Sequence, residues 1–278
     1  MTDRLHLSEL LSTAREVEPG LWSASTHQMD QSYPETGHTN LASIEDESYW
    51  FRHRAGVLLD LMGNYPPRGA MFDVGGGNGY IVRALREAGH AAVLIEPGED
   101  GCRIALQRGL APVVWGTTSE LGIAEQSIPS VGLFDVIEHV SDDHGFMSHI
   151  FDMTTPSGRL YLMVPAFGVL WSANDETAGH FRRYSAATVG EGVASVGFEI
   201  EYLSYLFRIL TIPLLLLRSI PYRIGVKSNA NTTEAHRLPH GWIGSWVKRS
   251  LENERRQVRA GRVIRWGTSI VLVARKPG

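Results

Sequence analysis

One aspartate, a run of glycines and a later glutamate carry the first chemical signal in this chain: Asp73-Val74-Gly75-Gly76-Gly77-Asn78-Gly79-Tyr80, then Glu96-Pro97. Glycines let the backbone turn tightly and approach a ligand where a Cβ would clash. A helix N-terminus after such a loop offers free N–H groups. An acidic residue about 20 positions beyond the first glycine is placed to take two ribose hydroxyls. That combination suits a nucleotide cofactor and leaves two open, a nicotinamide dinucleotide or S-adenosylmethionine. Two residues separate them. Tyr80 stands where the dinucleotide fingerprint wants its third glycine, and Asp73 would repel a pyrophosphate while suiting an ammonium.

Further candidates follow the later apolar runs. Asp135, Glu138 and His139 form a compact oxygen and nitrogen set, and His180, Arg183 and Tyr184 come after the next run. Histidine suits proton transfer near neutral pH. His139 and His180 are therefore the candidate bases, against the plainer reading of two histidines bonding loop carbonyls. The acidic set with His139 is short of an all-protein metal site. No metal is expected, and a divalent ion, with His144 adding a ligand if the turn folds back, is the less favoured reading. Trp50 and Arg54 are candidates for substrate contact: an aromatic face attracts a cation, and a guanidinium reaches a carboxylate. The alternative for Trp50 is an anchor between helix and sheet. Cys102, the single cysteine, reads as packing.

The elements that must position these groups alternate. Strands are expected over Ala70–Val74, Ala91–Ile95, Ala111–Trp115, Ser130–Val136, Arg159–Val164, Phe198–Leu206 and Ser269–Ala274. Helices are expected over Tyr80–Ala88, Asp100–Arg108, Ser141–Met153 and Ala186–Ser195. The pattern predicts an α/β fold with a Rossmann-like, seven-stranded, mostly parallel sheet and helices on both faces. Residues up to about Met62 read as helices and loops, with apolar helical spacing from Leu41. We divide the chain into an N-terminal helical cap (1–64), a cofactor-binding core (65–206), a helical insert or lid (207–266) and the last core strand (267–278). The apolar run Ile209 to Leu217 is broken by Arg208, Pro213 and Arg218 and is too short to span a bilayer. A buried cap helix is the favoured reading, and membrane-surface contact through 207–220 the alternative. The segment from Trp242 to Arg265 is basic, with Glu252 and Glu254 interleaved, and reads as a solvated face.

The motifs together resemble the class I S-adenosylmethionine-dependent methyltransferases. Asp73-x-Gly75-x-Gly77-x-Gly79 is similar to their first motif, and Ile95-Glu96-Pro97-Gly98 to the acidic second one. Leu133 to Val140 resembles the motif after the fourth strand in the branch that holds ubiquinone-type and natural-product enzymes. Val164-Pro165-Ala166, Leu170-Trp171-Ser172 with Asp175, and Gly179 to Tyr184 resemble a bacterial small-molecule subgroup of it. The resemblance implies an antiparallel last strand and S-adenosylmethionine as cofactor, with S-adenosylhomocysteine as product. It implies that Asp73, Gly75, Gly76, Gly77, Gly79 and Tyr80 hold the methionine portion, Glu96 and Pro97 the ribose side, Thr117 the adenine side, and Asp135 and Glu138 the sulfonium end. Some ubiquinone-type relatives use a divalent ion at the latter set.

The expected reaction is in-line methyl transfer to a small, apolar-leaning acceptor. The alternatives are a lipid or quinone methyltransferase at a membrane surface, and a cofactor-binding protein that transfers no methyl. The net charge of −4 argues against a nucleic-acid partner. One cysteine and a polar start to the sequence point to the cytoplasm, and the sequence carries no signal for oligomeric state.

Overall fold

A computed structural model describes residues 7–24, 44–226 and 241–278. The start of the chain and Leu41, used in the sequence reading, lie outside the described residues. In chain order, a short helix α1 (Leu7–Leu10) precedes β1 (Ala14–Glu18) and β2 (Leu21–Ala24). The 16-residue α2 (Tyr49–Asn64) follows, capped by Ser48, whose hydroxyl accepts from the Trp50 and Phe51 amides. Then come β3 (Met71–Val74), α3 (Tyr80–Glu87), β4 (Ala92–Glu96), α4 (Glu99–Gln107), β5 (Val113–Trp115) and β6 (Ile128–Phe134). Next are a 3-10 turn (Ile137–His139), α5 (Asp143–Met153), β7 (Thr154–Pro165), α6 (Ala173–Thr177), α7 (Ala186–Ser195) and β8 (Glu199–Leu206). A run of short helical turns includes α8 (Thr211–Leu214) and α9 (Ile220–Arg223), and α10 (Gly241–Arg259) and β9 (Ser269–Arg275) complete the described chain.

The strands form one sheet in the order β1-β2-β5-β4-β3-β6-β7-β9-β8. Strands β2 to β7 pair parallel, while β9 runs antiparallel between β7 and β8. The central strands are buried on both faces, so β3 reads Met71-Phe72-Asp73-Val74 with only one polar residue, and that residue is 1% exposed.

Two expectations are corrected. Among the described residues the sheet has nine strands, the seven expected and two more, because residues 14–24 form an antiparallel pair where helices and loops were expected. Ala14-Arg15-Glu16-Val17-Glu18 is mostly polar and carries little strand signal of its own. Its placement comes from β2, which docks parallel on the open edge of β5 with Leu21 opposite Val113. The run from Ile209 to Leu217 is not a buried cap helix either. It breaks into 3-10, α and π turns around Pro213 and leaves Ile212, Leu216 and Leu217 exposed.

Candidate active site

The glycine loop leaves β3 and enters α3. Gly75, Gly77 and Gly79 all have positive φ, at 70°, 56° and 74°, which only glycine adopts without strain. A Cβ on Gly76 would stand 2.4 Å from Asp73 Oδ2, so the loop lies directly over that carboxylate. Asn78 fastens the loop from outside: its side chain donates to Glu45 (3.1 Å), while Arg108 bonds both Glu45 (2.6 Å) and the Asn78 carbonyl (3.0 Å). Tyr80 opens α3, packed 5.2 Å from Phe51.

Glu96 ends β4 and accepts from the Gly77 and Gly98 amides, each at 2.7 Å. Those bonds fix the carboxylate under the loop. The Pro97 carbonyl accepts from Trp115 Nε1 at 3.0 Å, placing an aromatic ring beside this end of the site. Thr117, just past β5, is exposed, and its hydroxyl donates to Glu120 (2.9 Å). Cys102 is buried and bonds the Glu96 carbonyl at 3.3 Å, a packing role.

Facing the loop are Arg54 from α2 and the residues after β6. Arg54 is 5% exposed, lies 4.2 Å over the Trp50 ring and ion-pairs with Asp135. Asp135 sits at a positive φ of 58° that turns the chain sharply at the strand end. Three buried side chains hold polar atoms with no hydrogen-bond partner: both oxygens of Asp73, both oxygens of Glu138, and Arg54 Nη2. Buried polar atoms are almost always paired, so this convergence marks a place built to receive a polar ligand. Burial, then the charge on Glu96, pushes the Asp73 carboxyl up to about 7, and Arg54 opposes the shift. Glu138 is also held well above the usual carboxylate range, by burial first and by Asp135 second, again against Arg54. The guanidinium thus acts on both acids.

A second cluster adjoins the first. Asp175 is buried and receives His180 Nδ1 at 2.9 Å and Arg183 Nε at 2.6 Å, with the Ser172 amide at 2.9 Å. Burial opposes ionisation, yet the bonds from His180 and Arg183 hold Asp175 down at about 2. An ionised Asp175 keeps the proton on His180 Nδ1 and leaves Nε2 as the acceptor. The His180 ring meets His139 edge to face, centroids 4.7 Å apart. Burial, then His180, lowers His139 to about 4, so it is neutral at pH 7.

One donor atom each from Glu138, His139 and His180 lies within 4.8 Å of the others. This differs from the set expected from sequence: Asp135 is taken up by Arg54, and His144 is outside the group. Arg183 and Tyr184 do not stand free for a substrate. Arg183 bonds Asp175 and the Ala166 carbonyl, and Tyr184 bonds Asp143 (2.7 Å) and the Ile137 carbonyl (3.2 Å). They lock the loop that carries His180. Sequence reading passed over Glu45, Arg108 and Trp115, which carry no motif of their own. Asp175 was visible only as part of a longer resemblance.

Comparison with known proteins agrees with this geometry. Residues 50–203, more than half of the chain, match the family described as a methyltransferase domain. A curated protein of Mycolicibacterium smegmatis, named "Probable S-adenosylmethionine-dependent methyltransferase", is 27% identical over 62% of this chain and 68% of its own. Haemonchus contortus phosphoethanolamine N-methyltransferase 2, solved with S-adenosylmethionine, superposes with a TM-score of 0.56 at 18% identity, over 90% of this chain and 59% of that one. An S-adenosylmethionine-dependent methyltransferase of Thermotoga maritima gives a TM-score of 0.54 at 17% identity, over 88% and 100%. At these identities the solved structures speak to the fold. The residues present fit the cofactor: two unpartnered Asp73 oxygens suit an ammonium, a glycine cradle stands where any Cβ would intrude, and an anchored carboxylate ends β4. The chain belongs to the methyltransferase-domain family and is an S-adenosylmethionine-dependent methyltransferase.

Proposed function

We propose that the protein methylates a small, apolar-leaning organic acceptor, with His180 as the group that takes up the acceptor's proton. The observation that carries this reading is the 2.9 Å bond from His180 Nδ1 to the buried Asp175, beside His139 and the unpartnered Glu138. When bound, the cofactor supplies an electrophilic methyl on a good leaving group, so the protein's task is alignment and proton removal. Asp73 holds the cofactor's ammonium, Gly75 to Gly79 and Tyr80 give it room, and Glu96 with Pro97 flanks the ribose side. Thr117 enters by position alone, at the carboxyl end of β5. Arg54 offers its unpartnered Nη2 to a carboxylate while Trp50 backs its plane. Glu138 stands buried with both oxygens unpartnered, and Asp135 holds Arg54 in place.

The acceptor side is flanked by the 207–226 turns, where Arg218 acts electrostatically on Asp175, Arg183 and Tyr49. The half-buried Leu214 and Leu215 of those turns favour an apolar acceptor. The test is calorimetry of S-adenosylmethionine and S-adenosylhomocysteine, followed by methyl transfer to a panel of alkylphenols, hydroxy acids and polar amines. Turnover concentrated among the phenols, and reduced in His180→Gln with cofactor affinity kept, is the expected result. Turnover only of polar amines, or full activity in His180→Gln, would overturn the proposal.

A further inference from the structure

The insert carries a surface that the methyl-transfer site does not use. Leu217 is 70% exposed, Ile224 71% and Trp242 78%, and Ile212, Leu216 and Trp246 each exceed half. Large apolar side chains clustered at this exposure mark a contact surface. Two relationships place the two segments at one end of the molecule. Arg218 acts electrostatically on Tyr49, the first residue of α2. The helices α2 and α10 run in the same direction, since His53 bonds Glu254 and Asp60 bonds Arg255 and Arg259. At 1.5 Å per residue, Trp242 lies about 18 Å before Glu254 along the axis, whereas Tyr49 lies only about 6 Å before His53. The first two turns of α10 therefore project past the start of α2, on the side where the 211–224 turns rise.

Within the two segments themselves the charges have one sign, while the acid Glu176 of α6 meets them through its bond from Tyr222. Residues 207–226 contain Arg208, Arg218 and Arg223 and no acid, and residues 241–251 contain Lys248 and Arg249 and no acid, in a chain of net charge −4. Trp242 and Trp246 stand one helical turn apart on α10. Exposed leucine and isoleucine, paired tryptophans and exposed basic residues are the composition of a surface that lies in a lipid headgroup layer. A second copy of the chain would bring the same cations face to face. No described helix is long and apolar enough to cross a membrane.

We propose that residues 212–224 and the first two turns of α10 seat this protein on an anionic lipid bilayer, the apolar side chains entering the headgroup boundary and the exposed Arg223, Lys248 and Arg249 facing lipid phosphates. The mouth of the site, bordered by the same turns, then opens toward the bilayer. The seating does not depend on which acceptor is methylated.

The experiment is co-flotation of the full chain with phosphatidylcholine vesicles and with vesicles containing 30% phosphatidylglycerol, alongside homocysteine-nucleoside calorimetry on the same samples. Binding to the anionic vesicles is expected, with tryptophan emission shifted to the blue. Leu217→Asp combined with Trp242→Asp lowers partitioning about tenfold or more, and so does Lys248→Glu with Arg249→Glu, the latter through charge alone. Both variants alter exposed residues and keep S-adenosylhomocysteine affinity. No flotation at low salt overturns the proposal, as does wild-type flotation in both variants. Self-association abolished by the variants without any vesicle binding would make the patch a homodimer interface and overturn it too. Loss of adenosyl-ligand binding in the wild type would sink the methyl-transfer reading and leave the flotation result intact.

Discussion

His53 and Glu254, 201 residues apart in sequence, share a 2.7 Å hydrogen bond that fastens α10 to α2. Both are buried, and Glu254 also accepts from the Phe207 and Arg208 amides at 2.7 and 3.1 Å. One carboxylate thus holds the helix of the insert, the helix beside the site and the chain where it leaves β8. Replacing Glu254 with Ala strands three donors, two of them buried, and the expected loss is about 3 kcal/mol. Urea unfolding measures it, and a loss below about 1 kcal/mol would contradict this account.

Asp73 gives a prediction with opposite signs for stability and function. Its carboxyl rises from an ordinary 3.8 to about 7 in the folded chain. Between those values the folded chain keeps a proton that the unfolded chain has lost, so stability falls as pH rises from about 4 to about 7. The ligand-free protein is expected to lose on the order of 4 kcal/mol over that window from this group. Asp73→Asn removes the dependence and raises the melting temperature at pH 8, while calorimetry shows adenosyl-ligand affinity down by at least about 30-fold. A variant both less stable at pH 8 and still a tight binder would show that Asp73 is structural.

Gly76→Ala tests the loop. The added Cβ meets Asp73 Oδ2 at 2.4 Å and Leu94 Cδ1 at 2.6 Å. We expect a stability cost of about 1–3 kcal/mol from overpacking and a larger loss in cofactor affinity, because the shifted carboxylate no longer meets its ligand. Equal affinity in the variant and the wild type would show that the cofactor does not use this part of the loop.

Asp175→Asn separates orientation from proton transfer. The amide no longer holds the proton on His180 Nδ1, so for an acceptor that must be deprotonated kcat should fall by about 100-fold with KM little changed. Arg183 loses its partner, so unfolding curves must be taken on the same variant. A fall in rate that merely follows the folded fraction would reduce Asp175 to a structural role.

The cofactor end was legible in the sequence because its chemistry is local. The strand Met71–Val74 with its Asp73, the glycines and the next strand's Glu96 lie within 26 residues, and each residue type answers a demand of its own position. The mostly parallel sheet followed from the same alternation. What escaped was assembled at long range. Glu254 looks like one of several acids in a basic helix until α10 meets α2. The pair β1–β2 has no pattern of its own and exists because β5 offers an edge. Glu45 and Arg108 hold Asn78 from separate elements. The run from Ile209 to Leu217 misled in another way: a continuous apolar stretch has no period from which to read which side faces out.

The position of β9 constrains how this protein is born. On a ribosome β9 emerges after the other eight strands, yet it belongs between two of them, paired with β7 along seven residues and with β8 along seven. Until it arrives, β7 and β8 each present an open edge, and the insert's apolar surface is already out of the tunnel. The sheet therefore closes only after nearly the whole described chain has been made, and a nascent chain stalled ahead of Ser269 is a substrate for chaperones rather than a partly working enzyme.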